Sequence, residues 1–164
     1  MNDVPQANEP IGNAQIQKAQ LGSNGRKYIT FMANGQEFAS DILMIREIRG
    51  WTDITPLPHV PDYVRGLINL RGNILPVIDL KARLGLGLTE ATAKHVIIVA
   101  HNEARTTGIV VDAVADIITL GPNDTQPTPD LAEGSNDSCV YGVAVVDSRL
   151  VTVLNTTGLI DEAA

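Results

Sequence analysis

Asp112 and Asp116, four residues apart, are the nearest approach in this 164-residue chain to a paired-carboxylate acid–base site. In such a site one carboxyl donates a proton while the other accepts one, provided their surroundings drive the two pKa values apart. No base partner or metal ligand accompanies them in sequence, and the same two residues would cap and solvate a turn. The three histidines, His59, His95 and His101, are scattered, and only one cysteine, Cys139, is present. No CxxC or HExxH spacing results, so no metal site is expected. Cys139 reads best as a small residue packed beside a strand. Gly85-Leu86-Gly87 lacks the third glycine of a dinucleotide loop, and neither a phosphate loop nor a nucleophile elbow occurs. The sequence therefore points to binding rather than catalysis, with no cofactor. A small acid–base enzyme using Asp112 and Asp116 stays as the alternative.

Composition narrows the binding partners. Twelve Lys+Arg against 19 Asp+Glu give a net charge of −7, the wrong sign for a nucleic-acid surface, which needs cations for phosphates. With 44% hydrophobic residues the chain can bury a core. Its longest apolar run, Val96–Ala100, falls far short of the ~20 residues a membrane helix needs. Residues 1–26 hold no apolar stretch behind a basic start, which predicts a cytoplasmic protein without membrane insertion.

The elements that must carry any site are short strands. Residues 1–26, rich in Asn, Gln, Gly and Ala, read as a flexible tail, in which Ala14–Leu21 has the makings of a transient helix too short to be stable on its own. Tyr28–Ala33, Asn34-Gly35 and Gln36–Ala39 spell a hairpin, because Asn and Gly accept the positive φ of a type I′ turn. Asp41 is placed to cap one helical turn over Ile42–Ile45, and a strand follows near Glu47. Pro56, Pro58 and Pro61 make 51–61 an extended connection. Gly66–Leu70 and Asn73–Ile78 flank Arg71-Gly72 as a second hairpin, and Asp79–Leu84 reads as a capped helix stopped at Gly85.

The second half restates this order. His95–Ala100 and Arg105–Val111 form a hairpin, Asp112 stands where Asp41 stood, and 142–155 has the layout of 66–79. Two small barrels are expected, about 27–84 and 93–155, sharing an apolar seam and a groove, with 156–160 as a short C-terminal helix. Charge divides along the same line: through Arg83 the balance is +1, and from Leu84 onward it is −8. A first half bearing Arg46, Arg49, Arg65 and Arg71 would suit an acidic partner. Trp51 and Tyr63 add side chains typical of interaction hot spots, although either also serves as core.

The segments Asp41–Gly50, Gly66–Leu80, Thr107–Ile117 and Gly142–Leu154 together resemble CheW, the adaptor family of bacterial chemotaxis. The element Asn69-Leu-Arg-Gly-Asn-Ile-Leu-Pro-Val-Ile-Asp-Leu80 is the most specific part, and the likeness spans about residues 27–160. It implies an all-β fold of two five-stranded SH3-like barrels and a non-enzymatic scaffold, monomeric outside the array. Its partners would be the cytoplasmic tip of chemoreceptors and the regulatory domain of the histidine kinase CheA. Carried over residue by residue, Leu43, Ile45 and Glu47 would lie near the receptor groove, with Val114 and Ile117 on its second wall. Gly66 and Arg71 would belong to the hairpin that couples receptor and kinase, and Leu131 would touch the neighbouring kinase domain. Ser40, where the family often has an apolar residue, would make one groove wall more polar.

Overall fold

Asn34 and Gly35 both adopt positive φ, 54° and 72°, which matches the twist of the strands they join. They close β1 (Arg26–Ala33) onto β2 (Gln36–Asp41), with Phe31 opposite Phe38. The same geometry recurs at Arg71-Gly72, between β4 (Val64–Leu70) and β5 (Asn73–Asp79). It occurs a third time at Asp147-Ser148, between β10 (Val140–Val146) and β11 (Arg149–Leu154). The computed structural model describes residues 11–21, 25–127 and 139–162.

Asp41 caps a 3-10 turn over Ile42–Met44, its Oδ1 accepting the Leu43 N–H at 3.0 Å, and β3 (Ile45–Gly50) follows. Asp79 caps the short helix α2 (Leu80–Arg83). Beyond the crossover come β6 (Val96–His101), β7 (Thr106–Val111) and β8 (Ala113–Leu120), then the two-residue β9 (Thr125–Gln126). Helix α3 (Thr156–Glu162) ends the described chain, and α1 (Asn13–Gln20) opens it.

The strands form two sheets with short helices, the all-β class expected, and the sheet orders show a reciprocal exchange. One sheet runs β3-β6-β7-β5-β4 and the other β8-β1-β2-β11-β10-β9. The first hairpin of each sequence half thus sits in the sheet built from the rest of the other half. Each guest hairpin enters through one parallel pairing, β7 beside β5 and β2 beside β11. The divisions 27–84 and 93–155 are therefore sequence repeats and not the two sheets, because turn chemistry fixes a hairpin locally while the parallel neighbour is a distant choice.

Three apolar clusters follow from this weave. Ile68, Leu70, Leu75, Val77, Ile97, Val99 and Val110 fill the first sheet's interior. Ile118, Leu120, Ala144 and Val153 fill the second's. The largest cluster takes residues from both sheets, including Ile29, Phe31, Ile45, Ile78, Ile98 and Ile109. Along β6 the side chains alternate between clusters, which explains a continuous apolar run where one-sided strands alternate.

The first 26 residues are not all a free tail. Ile16 of α1 is buried at 2% exposure inside the shared cluster. Eight residues cannot hold a helix by propensity, and here tertiary contacts do so.

Candidate functional site

Leu43 and the Glu47–Arg71 ion pair, named from sequence, lie on the 3-10 turn, on the strand that follows it and at the tip of the β4–β5 hairpin. Leu43, 60% exposed, projects from the capped 3-10 turn. Met44 beside it borders a cleft of about 670 Å³, with His101 at the end of β6, Asn102 and Glu103 of the turn after it, and Thr157 and Asp161 of α3 also lining it. His101 is half-buried; desolvation, then the charge of Arg46, holds its pKa below the ordinary value.

On β3, Glu47 receives Arg71 Nη2 at 2.5 Å, and Arg49 Nη1 lies 3.6 Å from its other oxygen. The Arg71 hydrogen bond, aided by the charges of both arginines, lowers the Glu47 pKa against the opposing cost of burial. Arg71 sits at the tip of the β4–β5 hairpin, so one ion pair ties that tip to β3. Arg46, Arg71 and the 61%-exposed Ile74 line a second, smaller hollow. The four arginines named from sequence all lie on β3, β4 or the β4–β5 turn.

The other sequence-named positions divide. Ile45 is buried at 1%, in the shared cluster, and Val114 and Ile117 of β8 pack against that cluster half-buried. Ile45 is thus a core residue and not an exposed one. Gly66 has φ 142°, and a Cβ there would collide with the carbonyl oxygen of Thr55. Ser40 is 2% exposed, its Oγ 2.5 Å from Thr156 Oγ1, so it anchors α3 and forms no groove wall. Leu131 lies outside the described residues.

Asp112 and Asp116 serve different neighbours. Asp112 meets His95 Nε2 at 3.1 Å and accepts the Asn34 N–H. Asp116 meets Arg149 Nη2 at 3.4 Å and accepts the N–H of Ile117. Cys139 is fully buried. Trp51 packs on the first sheet's interior with an edge toward His95, and Tyr63 lies under the Arg83 guanidinium. Among the described residues no cluster of three His, Cys, Asp or Glu side chains could hold a metal, and no helix is long and apolar enough to cross a membrane.

Sequence reasoning named the helical stretch as Ala14–Leu21 and missed what fastens it to the rest of the chain. Asn13 Oδ1 accepts the Ile48 N–H at 2.7 Å while Asn13 Nδ2 donates to Ile48 O, and Gln20 Nε2 donates to Ile42 O and Ile45 O, each at 2.8 Å. The available signal was Gln15, three residues after Gly12, whose Oε1 accepts the Gly12 N–H.

Residues 27–164 match the family model of the CheW-like domain. The chemotaxis protein CheW of Rhizobium meliloti is 48% identical over 82% of this chain and 86% of its own length. That of Bacillus subtilis is 32% identical over 84% and 88%. Among solved structures, the scaffolding protein TtCheW of Thermoanaerobacter tengcongensis superposes with a TM-score of 0.72 at 30% identity, covering 80% of this chain and 89% of that one.

Proposed function

The chain belongs to the CheW-like domain family, and from that premise we propose that it is a non-enzymatic adaptor joining chemoreceptors to the histidine kinase CheA in bacterial chemotaxis. The observation that carries this reading is that Leu43 is 60% exposed on the turn leading into β3, the strand on which Glu47 holds Arg71. An apolar anchor supplies affinity when it is desolvated, and an adjacent charge pair sets register and rejects wrong partners. A receptor tip, being a helical hairpin, would lay an apolar stripe on this face, while the kinase regulatory domain, of the same fold, would take a different one. Two modest contacts then gain strength by being made together in an array.

Transmission follows by linkage: if the receptor's two states differ in affinity for this face, their shift changes the kinase population held with it. The adaptor works in the cytoplasm, at the inner side of the receptor array.

The test is kinase autophosphorylation in a mixture of receptor fragment and CheA, with and without this protein, run beside size-exclusion analysis. A co-eluting ternary complex with receptor-dependent activity is expected. Binding to neither folded partner would reduce the resemblance to one of fold alone.

A further inference from the structure

Helix α1 lies outside the residues matched by the family model, yet it is fastened to the segment that the adaptor reading uses. Asn13, Ile16 and Gln20 stand at i, i+3 and i+7, one face of a helix. Ile16 enters the cluster that contains Ile45 and against which Val114 and Ile117 pack. β3 is the edge of its sheet, and an unpaired edge invites another chain. Asn13 occupies that edge at Ile48 by bonding both of its backbone groups, as a neighbouring strand would. Gln20 takes the carbonyls of Ile42 and Ile45. Between these anchors lie Leu43, Ile45 and Glu47.

We infer that α1 is a displaceable occupant of a helix-binding seat on the β3 edge, and that a helix of the chemoreceptor tip engages the seat by replacing it. This deepens the adaptor reading and rests on it. The seat fits a helix because it holds one, and the incoming helix must bring an apolar side chain between two hydrogen-bonding ones at the spacing of Asn13, Ile16 and Gln20. An eight-residue helix does not persist alone, so α1 stays through one buried side chain and two amides. Partner affinity is then lowered by the fraction of molecules in which the seat is filled.

Two measurements on the full chain test this. In hydrogen exchange, residues 16–20 of the unmodified protein should exchange much faster than the amides of β3 and β6, by local opening. Equal protection would make α1 part of the global fold and overturn the inference. In titrations with a receptor-tip helical-hairpin fragment, Ile16→Ala and Gln20→Ala should bind about three- to tenfold more tightly than the unmodified chain, as the seat empties. A gain in neither variant, with binding retained, would overturn displacement and make α1 a support of the site. If neither variant nor the unmodified chain binds the fragment while α1 exchanges fast, the adaptor reading itself fails, and displacement with it.

Discussion

At the scale of single residues, the motif that is most specific in sequence mixes binding and structural duties. Asp79 closes it, is fully buried, and accepts from the Thr89 N–H at 2.7 Å, the Thr89 hydroxyl at 2.6 Å and the Ala82 N–H, with Arg65 at 3.6 Å. Asp79→Ala should therefore cost about 3–5 kcal/mol in denaturant unfolding, since it leaves the buried Thr89 N–H and hydroxyl without their acceptor and frees the crossover; a loss below ~1 kcal/mol would refute that role. Gly66→Ala forces a side chain at φ 142° against the Thr55 carbonyl, and should lower stability by at least ~2 kcal/mol, with binding lost only as folding is lost. Arg71 is different, for its side chain is 65% exposed at a hairpin tip and only its guanidinium end bonds Glu47. Arg71→Glu should leave the melting temperature almost unchanged while weakening co-elution with receptor and kinase fragments; an unfolded variant would show that Arg71 is structural. Acid should mimic this change in part. Because Arg71 depresses the Glu47 pKa from 4.5, the pair's contribution is present above that value and fades as pH falls through the lowered one.

Among the elements, those governed by local chemistry were legible. Asn34-Gly35 and Arg71-Gly72 announced their hairpins, Asp41 and Asp79 their caps, and the apolar run of β6 its burial. What could not be read was set by distant contacts. No residue in β2 records that β11 will lie parallel to it, and Ser40, polar in an apolar position, makes sense only once Thr156 is beside it. Helix α1 carries so little apolar surface that composition argued for a tail, and its order comes from carbonyls and an N–H on β3 and the preceding turn. The site was legible in the same measure. Leu43 is exposed and Arg71 reaches Glu47, as side chains of a turn and a hairpin tip can, whereas Ile45 is turned into the core by contacts its own sequence does not record. A double variant, Asn13→Ala with Gln20→Ala, isolates this element: it should raise amide exchange at Leu43 and Ile48 while leaving β6 and β7 protected. Uniformly raised exchange would instead mean that α1 holds the whole fold.

For the whole molecule, the exchange of hairpins decides how the chain unfolds. Each sheet takes strands from both sequence halves, and the largest apolar cluster draws on both sheets. Removing β1 and β2 would leave β8 and β11 without their neighbours, and removing β6 and β7 would separate β3 from β5. Neither half can then close a sheet, so two independent melting units are not available to this topology. Heat or denaturant should give one transition, coincident by far-ultraviolet dichroism and by the fluorescence of Trp51. The sharper form of the prediction uses fragments cut in the crossover after Leu84. Residues 1–84 and 85–164 should each lack a cooperative melt, and mixing them should restore sheet structure and the ability to bind a receptor fragment, since the pairings β1–β8, β2–β11, β3–β6 and β5–β7 all join the two fragments. A cooperative melt by either fragment alone would mean that its repeat closes on its own strands.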